Sequence, residues 1–197
     1  MKGKIVSLLL GGAATMVVAA SSPNLLTNGG FESGVTGWSF APIGDTAKAT
    51  RIIDSISGTA KEGKCFNRIT VTAISSQNWH LQMKDPTWTA KKNWIYHLSV
   101  WARAEAEKNP EISVAGAPGD NTKYRTSSVI ALTTEWKQFH QMFISDVEGA
   151  GNLNFAFVIG GSLGTYDFDD VIITGDTNSA GTIFPNSGFE AECAGWS

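Results

Sequence analysis

Apolar side chains recur at every second residue of this chain, in one segment after another. Ile69, Val71 and Ala73 alternate with Arg68, Thr70 and Thr72; Tyr96, Leu98, Val100 and Ala102 alternate with His97, Ser99 and Trp101; Leu153, Phe155, Phe157 and Ile159 alternate with Asn154, Ala156 and Val158. Successive side chains of a strand point to opposite faces, so a period of two describes strands that lay one face on a core. Residues 46–53, 79–84, 111–115, 127–132, 136–145 and 166–174 extend the pattern, separated by turn-forming runs such as Ser57-Gly58, Lys84-Asp85-Pro86 and Gly160-Gly161. Past residue 20 the only helical reading is a turn or two at 102–108. Eight or nine strands over roughly 150 residues, with no alternating helices, predict an all-β fold: a two-sheet antiparallel β-sandwich of the jelly-roll kind.

The strands occupy one unit of a longer plan. Asn28-Gly29-Gly30-Phe31-Glu32 with Gly37-Trp38-Ser39 returns as Asn186-Ser187-Gly188-Phe189-Glu190 with Gly195-Trp196-Ser197, seven identities at a constant offset of 158 residues. The expected organisation is therefore a complete module over 24–176, a linker over 177–182 and the opening of a second, truncated copy over 183–197. Ahead of it, Lys2 and Lys4 precede an apolar run over 5–20 that ends Val18-Ala19-Ala20, the pattern of a secretory leader cleaved after Ala20. The formal net charge is −3, and the acidic excess grows to five once the two leader lysines are gone. A mildly acidic exported chain is a poor partner for nucleic acid or an anionic membrane, both of which reward clustered Lys and Arg. Cys65 and Cys193 lie too far apart for a zinc-site spacing, and two cysteines make no disulfide scaffold; a bridge between them, or a partner for Cys193 elsewhere, both stay open.

Five stretches carry a family resemblance: Asn24-Leu25-Leu26-Thr27-Asn28-Gly29-Gly30-Phe31-Glu32 with Gly37-Trp38; Trp79-His80-Leu81-Gln82; the strand from Tyr96 through Trp101-Ala102-Arg103-Ala104; Thr134-Glu135-Trp136; and Phe168-Asp169-Asp170-Val171. In this order and spacing the chain resembles the carbohydrate-binding modules of families four, nine and twenty-two. The resemblance implies a galactose-binding-like jelly roll that holds single chains of xylan, β-glucan or amorphous cellulose in a cleft on its concave sheet. It further implies a monomeric, non-catalytic module of a larger secreted protein, which brings an attached hydrolase to its substrate. A cell-surface or adhesion module without sugar specificity, or a small jelly-roll hydrolase or lyase, are the other classes this fold admits.

Catalytic signatures are missing from the primary structure. Asp169 and Asp170 are neighbours on one strand and cannot flank a single glycosidic bond, the three histidines His80, His97 and His140 fall singly, and no H-E-x-x-H or G-x-S-x-G motif occurs. Sugar binding asks instead for flat apolar rings and for planar hydrogen-bonding groups. Trp79 stands where similar modules place a stacking aromatic, although a core position is the competing reading; Gln82 is the polar contact that relatives carry nearby. By strict alternation these two point to opposite faces, so their cooperation requires an irregularity near His80. Tyr124 is the candidate second aromatic wall, with Arg125 as a guanidinium donor beside it. Arg51 and Asn154 point away from the core by alternation, as does Trp101, a further candidate platform; Trp38, Trp94 and Trp136 read as structural.

A structural cation is also expected. Alternation with Val171 and Ile173 turns Asp169 toward the apolar side, where a lone carboxylate is costly. In similar modules the positions of Glu32 and Asp169, with carbonyls near Gly30 and in the Gly63-Lys64 loop, hold a structural Ca²⁺, and all-oxygen ligation suits that ion. Asp170 is the alternative ligand if the register differs by one, and Glu32 simply accepting backbone hydrogen bonds is the alternative without metal.

Overall fold

The computed structural model describes residues 23–43, 46–56, 58–85, 88–116, 124–146 and 148–177. Eleven strands follow one another: β1 (Ser39–Pro42), β2 (Lys48–Asp54), β3 (Phe66–Ala73), β4 (Leu81–Lys84), β5 (Trp88–Ala90), β6 (Trp94–Ala104), β7 (Glu111–Ala115), β8 (Tyr124–Val129), β9 (Lys137–Ile144), β10 (Gly149–Val158) and β11 (Gly164–Thr177). They form two antiparallel sheets, one ordered β1-β4-β10-β7-β8 with β5 also on β10, the other ordered β2-β3-β11-β6-β9. The fold is the all-β, two-sheet jelly-roll sandwich that the periodicity predicts. Thr177, the first residue of the expected linker, ends β11; the leader, the rest of the linker and the second copy, with Cys193, lie outside the described residues.

Core residues come from the alternating positions. Leu81, Met83, Ile112, Val114, Phe155 and Phe157 from the first sheet meet Ile69, Leu98, Val100, Tyr166, Phe168 and Ile173 from the second, all buried. Phe157 and Phe168 touch across the layers at 3.7 Å between ring centroids, and Trp38 meets Phe155 edge-on at 6.2 Å. Each such ring contributes about 1.5–3 kcal/mol by leaving water. The repeated opening motif is structural: Asn28, at φ 59°, donates to the carbonyls of Gly34 and Thr36 and receives the amide of Ser33, while Phe31 and Trp38 enter the core and the Trp38 indole donates to the carbonyl of Asn28.

Four details differ from the reading by periodicity. Residues 78–80 form a 3₁₀ turn (Asn78–His80), so the strand expected from Trp79 begins at Leu81. The helical turn considered at 102–108 is absent, because β6 runs to Ala104 and Lys108 then bridges to Leu132. The β1 and β5 strands, four and three residues long, are too short to show alternation. Finally, Asp170 at φ 45° makes a bulge in β11, where the pairing shifts between Asp169 and Ile172. Asp169 therefore sits opposite Trp101 on the outer side of the second sheet and not on the apolar side with Val171. The chain over 59–65 covers it, which is why it is nonetheless fully buried.

Candidate functional site

The outer face of the first sheet carries a groove. In register across it stand Lys84, Ala156, Ser113 and Ser127, and one pair further along Gln82, Val158, Glu111 and Val129. Ala156, Val158 and Ser113 turn away from the core, yet are only 3%, 4% and 1% exposed. Small side chains that are sunk on an outer face form a floor, and the longer residues of β4 on one side and of β7 and β8 on the other form its walls. At the end of β10 the groove opens into a cavity of about 310 Å³, bordered by Asn78, Glu107, Glu111, Val129, Val158 and Tyr166. That volume is at the small end of ligand sites, and its lining mixes amides, carboxylates, hydroxyls and the Lys108 ammonium with apolar side chains such as Val129 and Val158. Burial pushes the Tyr166 hydroxyl above its ordinary pKa, so it stays a neutral donor, bonded to the Ser162 carbonyl at 3.0 Å.

Trp79 stands on the 3₁₀ turn at this end with 41% of its surface exposed. Its seat is bolted on three sides: the Gly160 amide donates to the Asn78 carbonyl at 3.0 Å, the Ile43 amide to the His80 carbonyl at 2.7 Å, and the Gln82 side chain to the Trp79 carbonyl at 2.7 Å. His80 meets the indole edge-on at 4.2 Å and is held in turn by the Ser75 hydroxyl at 2.5 Å. The turn is thus the irregularity that lets Trp79 and Gln82 share one region despite their odd spacing.

Of the other expected residues, Asn154 lies half-buried on the groove face, in register with Ala115. Tyr124 pairs with Ala115 through the backbone and Arg125 follows it in β8; their side chains lie outside the described residues. Arg51 is corrected: it pairs with the core residue Ile69, so it points inward at the sandwich edge and donates to the Trp38 carbonyl at 3.2 Å. Trp101 lies off the core as alternation predicts, on the outer face of the second sheet and so apart from the groove, with the Lys61 ammonium 4.0 Å over its ring. Lys84, Ser113 and Glu111 were missed, although two-residue steps from Gln82 and along 111–115 reach all three.

Glu32 and Asp169 both hold the turn over 61–65. Glu32 Oε1 accepts the amides of Lys64 and Cys65, each at 2.8 Å; Asp169 Oδ2 accepts those of Lys61 and Glu62 at 2.8 and 3.0 Å, and its Oδ1 that of Asp170 at 2.7 Å. Gly63, at φ 61°, is required there, because a Cβ would lie 2.3 Å from Glu32 Oε1. Among the described residues no three His, Cys, Asp or Glu side chains converge. Both carboxylates accept backbone amides of this one turn, and oxygen ligands of their kind are those a hard cation takes.

A family model described as a carbohydrate binding domain matches residues 23–167. Among solved structures, the chain is similar to one described as "CBM4 structure and function", with TM-score 0.64 and 16% identity over 77% of this chain and 99% of that one. It is similar to the CBM22-1 xylan-binding domain from Paenibacillus barcinonensis Xyn10C, with TM-score 0.59 and 16% identity over 82% and 99%. A cyclase from Fischerella sp. TAU in complex with 4-(1H-indol-3-yl)butan-2-one shares the fold as well, with TM-score 0.61 and 14% identity over 82% and 100%. At these identities the likeness establishes the fold alone. No curated protein matches the chain.

Proposed function

The chain belongs to the carbohydrate-binding domain family, and on that premise we propose that it holds a plant cell-wall polysaccharide, a xylan or β-glucan chain, in the groove of the first sheet without cleaving it. In this reading it is a secreted module that keeps an attached hydrolase on its substrate. The observation that carries the reading is Trp79, 41% exposed on a turn whose backbone is held by three hydrogen bonds, with His80 edge-on against its ring. An exposed ring on a fixed turn offers a flat apolar surface on which a pyranose face can stack. Gln82, Asn154, Ser113 and Glu111 supply donors and acceptors for hydroxyls. We propose in addition a structural Ca²⁺ at Glu32 and Asp169, with carbonyls at Gly30 and Lys64; when bound it would compensate their charge and join the opening segment to β11.

Affinity electrophoresis of the purified chain against soluble xylan, β-glucan, cellulose derivative and mannan tests the binding. Trp79→Ala is expected to abolish retention while shifting stability by only about 0.5 kcal/mol, as surface substitutions do. By contrast, Trp38→Ala should cost about 3–5 kcal/mol. Retention of no glycan by the wild type, or full retention by Trp79→Ala, overturns the reading.

A further inference from the structure

Lys84 ends β4 on the groove face, between Ser39 of β1 and Ala156 of β10. It is half-buried, and among the described residues no ion pair or side-chain hydrogen bond engages its ammonium. Several other cations of the sandwich are engaged: Arg68 and Arg103 share Asp167, Lys61 and Lys91 lie 4.0 and 4.1 Å over the rings of Trp101 and Trp94, and Lys108 bonds the Leu163 carbonyl at 2.6 Å, whereas Lys48, Lys64, Lys92 and Lys137 are exposed to water. The carboxylate on the same face, Glu111, stands two strands away and accepts the Ser127 hydroxyl at 2.5 Å. Loss of water alone acts on Lys84 and pulls its pKa below the ordinary lysine value, with no carboxylate to offset it. A partly desolvated cation without an anion is unfavourable, and a site that keeps one is prepared for an anion brought from outside.

Resting on the glycan-binding reading above, we propose that the groove selects an acidic polysaccharide, a chain bearing uronic-acid substituents, whose carboxylate pairs with Lys84 at the β1–β4 side while a backbone sugar stacks on Trp79. The register supports this placement: Lys84 stands beside Ala156 on the outer face, and the half-buried Asn154 offers an amide one pair further along β10.

Calorimetric titration tests the proposal with three oligosaccharides: xylo-oligosaccharide bearing glucuronic acid, the same compound after reduction of its carboxyl to a neutral hydroxymethyl, and the unsubstituted chain. At low salt the uronate form should bind about tenfold tighter than the reduced form, the scale of one partly buried charge pair, and added salt should shrink the gap. Lys84→Gln should bring the two affinities together, and Lys84→Arg should keep them apart, with melting curves confirming that both variants fold. Equal binding of the charged and reduced forms by the wild type, or a preference that survives in Lys84→Gln, overturns the acidic selectivity while leaving glycan binding in place. Binding of none of the three overturns both.

Discussion

Glu32 and Asp169 grip the same turn, but their protons respond in opposite senses. At Glu32, which is exposed, the amides of Cys65 and Lys64 favour the carboxylate and hold its pKa below the ordinary value. At Asp169 burial outweighs the amides of Glu62, Asp170 and Lys61 and pushes the carboxyl up to about 6. Glu32 therefore contributes stability at neutral pH that is lost as pH falls through its lowered pKa. Asp169 contributes stability that is fully present below its unfolded value of 3.8 and is lost as pH rises through about 6. In chelator, the chain should thus gain stability when acidified from pH 7.5 to 5, by about 1.4 kcal/mol, the worth of the one pKa unit between about 6 and 5, before Glu32 begins to protonate. Asp170, also raised by burial, works in the same direction as Asp169. The measurement is a melting temperature series across this range on the wild type and Asp169→Asn; a rise of equal size in the mutant would remove Asp169 as its source.

Strands whose two faces differ were legible in the sequence; the short ones and the breaks in phase were not. The β3, β6, β7 and β10 strands announce themselves because one face meets the core and the other meets solvent or groove. Extrapolating that phase failed at two places for two reasons. Asp170 inserts a bulge that inverts the side expected for Asp169, and β2, following Ala47 just before it, carries its core phase on Ala49 and Ile53 while Ile52 is exposed, which puts Arg51 on the inner face. Trp101 was rightly placed off the core, but alternation cannot tell which sheet a strand joins, and β6 lies in the sheet without the groove. The 3₁₀ turn owes its position to tertiary contact: Gly160 lies against it so closely that a Cβ would come 2.4 Å from the Asn78 carbonyl oxygen. Gly160→Ala should therefore push the turn off the end of β10, costing about 1–3 kcal/mol as overpacking does, and displace Trp79 from the groove. Glycan retention should fall markedly although residue 160 touches no sugar, and retention equal to that of the wild type would show that this seat does not position the ring.

On the scale of the whole sandwich, the segment before β1 is fastened to the last strand at several points. Asn24 donates to the Val171 carbonyl and accepts the Ile173 amide, the Leu25 amide reaches the Ile173 carbonyl, and the Val171 amide reaches that of Gly29. Glu32 and Asp169 then tie this seam to the turn over 61–65, far from the groove on the other sheet. A cation held there binds only the folded chain, and so adds RT ln(1 + [L]/Kd), about 2.7 kcal/mol at a hundredfold excess. Chelation should lower the melting temperature, and restoring Ca²⁺ should recover it. Because the seam and the groove lie on different sheets, glycan affinity well below the transition should hardly change. Glu32→Gln should reproduce the effect of chelator and make further chelation ineffective. Heating in chelator before the scan removes any ion that leaves slowly; a wild-type melting temperature that is still unchanged would take calcium out of the seam and leave the backbone amides as the only partners of the two carboxylates.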